Sequence, residues 1–215
     1  MASAVAFQPA SSVSRMGLLF ATVLHSPIFG GSVASFDPVE ALAVTGVRDV
    51  FEISSGIAVV ADNTWAACEG SGKLDVTWNE GDFTMNSSEI FEHFAEVAED
   101  EGLEARSEGD ITAGLATVET GVKAVYEAPY LAHATMEPMN CTVHIQSDRA
   151  EVWVPTQGPQ GVQSAVARLA GIPEERVVVH PMFVGCGLGR RSATDFVADA
   201  VETAMKVDSP VQVLW

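Results

Sequence analysis

Cysteine and lysine are scarce in this sequence, and no long apolar run interrupts it. The 215 residues hold three cysteines, Cys68, Cys141 and Cys186. They lie far apart and form no CxxC pair, which excludes a zinc ribbon and a disulfide framework. Buried free thiols in a reducing compartment are expected. The lysines are Lys73, Lys123 and Lys206 alone, and 11 basic residues face 29 acidic ones for a net charge of -18. Such a field repels nucleic acid and anionic lipid surfaces, so no nucleic-acid partner is expected, and the acidity reads as a solvated surface. No stretch approaches the ~18 apolar residues of a membrane span. The run at 16–24, behind Arg15, stops at His25, Ser26 and Pro27 without a small-x-small cleavage site. It reads as a buried strand rather than an export signal. The cytoplasm is then the default compartment, with the periplasm left open.

What is present suits a packed core. The hydrophobic share is 47%, and the length fits one large domain or two small ones. Residues 1–15 read as a disordered lead-in. Strands are expected at 47–53 and 57–61 around the turn Ser54-Ser55-Gly56, then a short helix capped by Thr64, then a strand at 74–78. Asn86 with Glu89 three residues on is a capping-box pattern opening a helix that carries Ile90, Phe94 and Val97 on one face and stops at Gly102. The acidic residues on its other face read as solvated. A linker is expected over 104–110, with a domain boundary between about Trp78 and Asp110. Further strands are expected at 122–126, 141–145, 152–155 and 176–180. A helix at 159–170 is closed by Gly171 and Pro173, another follows the glycine-rich segment near 185, and a last strand runs over 211–215. That strand is apolar and has no polar tail, so its partners are expected in another polypeptide.

The strongest local signal is the strand, glycine loop and helix around Gly185, Cys186, Gly187, Leu188 and Gly189. Free backbone N–H groups in such a loop, with the following helical turn, bind anions and cofactor oxygens. Arg190 and Arg191 could add charge-assisted hydrogen bonds to a phosphate. A dinucleotide fold fails on detail: Arg190 occupies the third glycine position of GxGxxG, and no ribose-binding acid follows. A tight turn is the plain alternative. Cys186 has no histidine beside it in sequence to make it a nucleophile. His133 and Glu137 stand four apart, a metal-binding spacing on a helix, but Pro138 and the lack of a third ligand favour a loop whose polar groups hold each other. Gln157 follows a strand and could reach into a cavity as donor or acceptor.

Taken in order, these segments carry a resemblance. Tyr126-Glu127-Ala128-Pro129-Tyr130-Leu131-Ala132-His133-Ala134-Thr135-Met136-Glu137-Pro138, then Trp153-Val154-Pro155-Thr156-Gln157, Arg176-Val177-Val178-Val179-His180, the glycine loop with its double arginine, and Pro210-Val211-Gln212-Val213-Leu214-Trp215 resemble the molybdopterin-binding subunits of the xanthine dehydrogenase/aldehyde oxidase family. The wording His-Ala-x-Met-Glu-Pro is most similar to the branch formed by isoquinoline 1-oxidoreductase beta subunits. Upstream, Leu24-His25-Ser26-Pro27-Ile28-Phe29-Gly30-Gly31 and Ala61-Asp62-Asn63-Thr64-Trp65-Ala66-Ala67 resemble the family's α/β-hammerhead domain.

The resemblance implies an α+β fold: a hammerhead-like domain at 16–85, a helix and linker at 86–110, and the first part of a molybdopterin-binding domain at 111–215. It implies a molybdenum–molybdopterin cofactor, the cytosine dinucleotide being one candidate form, shared with a second half on another polypeptide. It also implies an iron–sulfur electron-transfer subunit and hydroxylation of aldehydes or N-heterocycles with water as oxygen source. Gln157 is then expected to hydrogen-bond an oxo ligand of molybdenum, and the backbone of Gly185, Cys186, Gly187, Leu188 and Gly189 to contact the cofactor, with Arg190 and Arg191 beside it. There are departures. The family loop reads Gly-Gly-Gly-Phe-Gly, so Leu188 replaces an aromatic wall and Cys186 brings bulk and φ restriction where glycine is free. The family's glutamate base is expected beyond Trp215, in that second half. The absent base and altered loop keep a second class open, an interaction module that retains the fold without the cofactor.

Overall fold

The computed structural model describes residues 17–215. The lead-in expected at 1–15 lies outside the described residues. The apolar run that follows does form a strand, β1 (Leu19–His25), with Ala21 and Val23 buried. Residues 47–61 form the expected hairpin, β3 (Val47–Ile53) and β4 (Gly56–Ala61), and β4 pairs antiparallel with β1. Every residue of β4 is buried, as suits an unbroken apolar strand covered on both faces.

Two elements in this stretch escape the sequence pattern. β2 (Ser32–Asp37) pairs antiparallel with β5 (Asp75–Asn79) in a separate two-stranded ribbon, and the short helix α1 (Val39–Leu42) follows β2. The next helix, α2 (Thr64–Ser71), starts one residue earlier than expected, and Asn63 caps it instead of Thr64. Asn63 has extended backbone angles, and its Oδ1 accepts the Ala66 N–H at 2.9 Å, which satisfies a free donor of the first turn.

The second half adds β6 (Asn140–Ile145), β7 (Ala150–Val154), the helix α5 (Pro159–Ala170), β8 (Val177–Pro181), α6 (Asp195–Ala204) and β9 (Val211–Leu214). Proline at the start of α5 and Gly171 at its end, at φ 67°, are the asymmetric start and stop expected of a helix.

These strands join the earlier ones in one seven-stranded sheet of order β3-β4-β1-β9-β6-β7-β8. One correction concerns the last strand. Far from awaiting partners elsewhere, β9 lies between β1, parallel to it, and β6, antiparallel to it. Val211 and Val213 are fully buried, and together with Ala21, Val60, Cys141, Val143 and Val152 they pack against Val166 of α5 and Val197 and Val201 of α6. The apolar sequence of β9 reflects central burial, not an unpaired edge.

The compact units are therefore not consecutive in sequence. Among the described residues, one comprises 17–82 together with 133–215, and the other is Phe83–Ala132. In the second unit, α3 (Ser87–Val97) has the complete capping box: Asn86 accepts from Ser88 and Glu89 N–H, and Glu89 accepts from Asn86 N–H. α3 ends at Val97 with Ala98 as its C-cap, earlier than Gly102 suggests. No basic side chain stands in its last turn, and Glu99, Asp100 and Glu101 oppose the negative end of the helix dipole. A second short helix, α4 (Ile111–Leu115), occupies part of the remaining chain. Residues 122–126, expected as a strand, are not one. Val122 and Val125 are 95% and 82% exposed, and β-propensity is of no avail without a neighbour to pair with. No helix among the described residues is long and apolar enough to cross a membrane.

Candidate functional site

Two loops meet at the carboxyl ends of β7 and β8, neighbouring parallel strands in register from Ala150 with Val177 to Val154 with Pro181. Loops that leave the carboxyl ends of neighbouring parallel strands lie side by side and can line one shared surface. The first loop, Pro155 to Gly158, carries Gln157. The second runs from Met182 through Gly185, Cys186, Gly187, Leu188 and Gly189 into a 3₁₀ turn, Arg190–Ser192, before α6. Met182 N–H donates to Val154 O at 3.0 Å and Gln157 N–H to Arg191 O at 3.0 Å, so the loops are tied at both ends. Thr156 adds a link from its hydroxyl to Arg191 O at 3.2 Å.

The expected site residues come together across some thirty positions of sequence. A Cβ at Gly187 would lie 2.7 Å from Gln157 Oε1 and 3.1 Å from its Cδ. Only glycine lets the Gln157 carboxamide lie against the loop backbone. The loop itself is bent by residues that rarely adopt such angles: Cys186 has φ 77° and Leu188 φ 49°, with Gly189 at 91°. A non-glycine residue in this region costs about 1 kcal/mol or more, and the expected restriction at Cys186 is thus realised as strain. Among the described residues, the amides of Cys186, Gly187, Leu188 and Gly189 have no hydrogen-bond acceptor. Gln157 and most of the loop are exposed. Exposed apolar side chains, Phe183, Val184 and Leu188, border the loop in sequence.

The arginines are already committed. Arg190 forks onto Asp195, with Nη1 to Oδ1 at 2.8 Å and Nη2 to Oδ2 at 2.6 Å. Hydrogen bonding to Asp195 raises the Arg190 pKa above its ordinary value. For Asp195, burial works upward and is outweighed by the Arg190 hydrogen bond and charge, so the net shift is downward. Arg191 is fully buried. Its Nη2 donates to Glu137 O at 2.7 Å and lies 3.1 Å from Glu137 Oε2, and its Nη1 donates to Pro155 O at 3.3 Å. Burial lowers its pKa, with the Glu137 charge acting in the opposite sense.

Glu137, which the sequence placed in a loop of mutually held polar groups, has partners that its spacing to His133 did not indicate. It does not form a metal pair with His133, which is exposed in a non-helical segment beside Ala134 at φ 48°. No group of three metal-ligating side chains exists among the described residues. Instead Glu137 N–H donates to Gly185 O at 2.9 Å, and Glu137 Oε2 accepts Gly185 N–H at 2.8 Å. The one signal that could have found it was its place in Met136-Glu137-Pro138. Of the three thiols expected to be buried, only Cys141 is, and burial pushes its pKa far above the ordinary thiol value, which makes it inert; Cys68 on α2 and Cys186 in the glycine loop are exposed.

The Arg190–Asp195 fork sets a pH dependence. Because the Asp195 pKa is depressed in the folded chain, its contribution to stability is present above the unfolded-chain value of about 3.9 and is lost as pH falls through the folded value. The side chain of Asp195 is 62% exposed, so the effect is small and salt-sensitive. Asp195→Asn is expected to flatten this part of the acid limb in melting temperature measured from pH 5 to pH 2. An identical acid limb in the variant would show that the fork contributes nothing.

The carboxamide, the glycine cradle and the unpaired amides could serve a group that presents several oxygen acceptors. Residues 92–215 match the family model of the molybdopterin cofactor-binding domain. The beta subunit of isoquinoline 1-oxidoreductase from Brevundimonas diminuta is 26% identical over 93% of this chain, and a nicotinate dehydrogenase subunit from Pseudomonas putida is 27% identical over 86%. The chain spans 27% and 16% of the length of those two relatives. The crystal structure of quinoline 2-oxidoreductase from Pseudomonas putida 86 superposes with a TM-score of 0.70 at 16% identity, over 96% of this chain and 32% of that one.

Proposed function

We propose, from the premise that this chain belongs to the molybdopterin cofactor-binding domain family, that it supplies one wall of the cofactor site in a molybdenum hydroxylase acting on aldehydes or N-heterocycles. The observation that carries this reading is the set of unpaired amides from Cys186 to Gly189 with the Gln157 carboxamide lying against Gly187. Along the chain, 16–85 is proposed as a hammerhead-like segment, 86–110 as helix and linker, and 111–215 as the first part of the molybdopterin-binding domain.

When bound, molybdenum–molybdopterin supplies the two-electron oxidation of a substrate carbon with water as oxygen source. The chain's own residues bind and orient. The amides of Cys186, Gly187, Leu188 and Gly189 donate hydrogen bonds to oxygen acceptors without first breaking internal bonds, since they are unpaired in the bent loop. Gln157 can donate through Nε2 or accept through Oε1, and its position against Gly187 fixes where that contact falls. Arg190 stands at the rim, where its charge favours a phosphate, including that of a dinucleotide form of the cofactor. Arg191 acts from behind the loop. Leu188, where the family carries an aromatic, offers a smaller apolar wall to the substrate. The base that activates water is proposed to come from a second molybdopterin-binding half on another stretch of polypeptide, and electrons to leave through an iron–sulfur subunit. The free thiols, two of them exposed, suit the reducing cytoplasm.

The test is binding of molybdopterin to the chain, followed by quenching of tryptophan fluorescence, alone and with a polypeptide that carries the second half. Saturable binding is expected. Gln157→Ala should weaken it by about tenfold, the worth of one well-placed hydrogen bond, and Gly187→Val should weaken it further by displacing Gln157. Absence of binding even with the second half supplied would overturn the proposal in favour of an interaction module that keeps the fold without the cofactor.

A further inference from the structure

We propose that the half-buried Glu137 and the buried Arg191 form a clamp that holds the glycine loop in its bent conformation, with the amides of Cys186 to Gly189 left unpaired, which makes Glu137 a positioning residue for the cofactor; this rests on the cofactor reading above.

The geometry is specific. Oxygen Oε2 of Glu137 is shared between the entry of the loop and its exit. At the entry it accepts Gly185 N–H at 2.8 Å, and Glu137 N–H returns a bond to Gly185 O at 2.9 Å. At the exit it pairs with Arg191 Nη2 at 3.1 Å, while the same nitrogen donates to the Glu137 carbonyl at 2.7 Å. The other carboxylate oxygen accepts from Asn140 Nδ2 at 3.2 Å, and Asn140 is anchored in β6. One side chain thus fixes both ends of the loop to the sheet. Gly185 is required for this: a Cβ there would lie 2.6 Å from Glu137 Cβ.

The need for a clamp follows from the strain it contains. Cys186 and Leu188 sit in the left-handed region, and such angles persist only where the surroundings over-determine them. Released at either end, the loop is free to relax, and its unpaired amides are then no longer held in place. The pair is costly in itself. Arg191 has no exposure, its Nε lacks a partner, and a buried ion pair is a poor means of gaining stability compared with apolar packing. What it does provide is fixed geometry, since the planar guanidinium also reaches Pro155 O in the Gln157 loop. The clamp therefore sets the spacing between the two loops that enclose the proposed site.

The experiment uses the whole chain with Glu137→Gln, Arg191→Lys and, as a control for general destabilisation, Val201→Ala in the core. Two readouts are taken. The first is hydrogen exchange at the amides of Gly185, Arg190, Ser192 and Gln157, whose bonds depend on the loop. The second is the Kd for molybdopterin. Glu137→Gln and Arg191→Lys are expected to speed exchange at these amides by about tenfold or more and to raise the Kd by a similar factor. Val201→Ala should lower the melting temperature and leave both readouts in place. If Glu137→Gln does not fold, Arg191→Lys carries the test, because it keeps the charge and loses the fork. Unchanged exchange at Gly185 and Arg190 in a folded variant overturns the clamp. If the unsubstituted chain binds no molybdopterin, the cofactor reading fails, while exchange at those amides still decides the clamp.

Discussion

Val213→Asp is expected to unfold the chain. Val213 is fully buried in β9, paired with Ala21 of β1 on one side and Cys141 of β6 on the other, and it packs into the main core. A carboxylate there has no partner, and an uncompensated buried charge costs roughly 3–5 kcal/mol or more. Total stability of a domain is about 5–15 kcal/mol, so little or none remains. The comparison is Val178→Thr on β8, the last strand of the sheet, where the valine is 47% exposed. That change should stay within about 0.5 kcal/mol. Urea unfolding followed by circular dichroism reads both. A cooperative transition retained by Val213→Asp, with its midpoint near that of the unsubstituted chain, would mean that β9 does not occupy the centre of the sheet.

Asp199→Ala should be strongly destabilising. Asp199 lies on α6 with 6% exposure and accepts from three elements at once. The Ser55 hydroxyl in the β3–β4 turn donates at 2.5 Å, His25 Nε2–H at the end of β1 donates at 2.9 Å, and Trp215 Nε1–H donates at 3.2 Å. Removing the carboxylate leaves three donors without an acceptor, one of them on the half-buried indole that packs edge-on against Phe196 at 6.1 Å. Hydrogen bonds to a charged group are worth roughly 1.5–3 kcal/mol each. They are not additive, and His25 can turn to water, so the expected loss is about 3 kcal/mol. Asp199→Asn recovers the Ser55 bond and presents an amide N–H toward the indole N–H, so it should restore less than half. A loss below about 1 kcal/mol in urea for Asp199→Ala, at unchanged m value, would show that the cluster is incidental.

Local chemistry was legible in the sequence where the signal is local. Pro159 and Gly171 bound α5 as expected, and Asn86 with Glu89 capped α3. Residue type also disclosed that β9 is apolar and therefore buried. It could not disclose against what, because strand pairing is set by contacts distant in sequence: Leu19 pairs with Val211. For the same reason β2, whose residues are mostly half-exposed or exposed, gave little sign of itself until β5 lay beside it. Val122 and Val125 show the converse error, strand-forming residues in a segment with no strand to join.

The site divides in the same way. Gln157 and the glycine loop were readable from their order along the chain, and the fold brings them into contact. Glu137 was weighed only against His133, four positions away. Its real partners, Gly185 and Arg191, stand 48 and 54 positions on. The double arginine looked like a pair of phosphate ligands, and no local pattern distinguishes Arg190, which turns to Asp195 five residues later, from Arg191, which turns inward.

The parallel pairing of β1 with β9 imposes an order on synthesis. Translation adds about 5–20 residues each second, so β1 leaves the ribosome roughly 10–40 s before the strand that must lie beside it. Until then β4 can cover one side of β1, and the other side is an open ladder of amides and carbonyls flanked by Ala21 and Val23. A nascent chain in that state offers a ready edge to any passing strand. Folding also has to close a loop of almost the whole described chain before the central pairing gives any return, which places it among slow, high-contact-order topologies. The yield of soluble protein is therefore governed by how long β1 stays protected during elongation, and a holdase that binds residues 19–25 during that interval should improve it more than any gain in final stability.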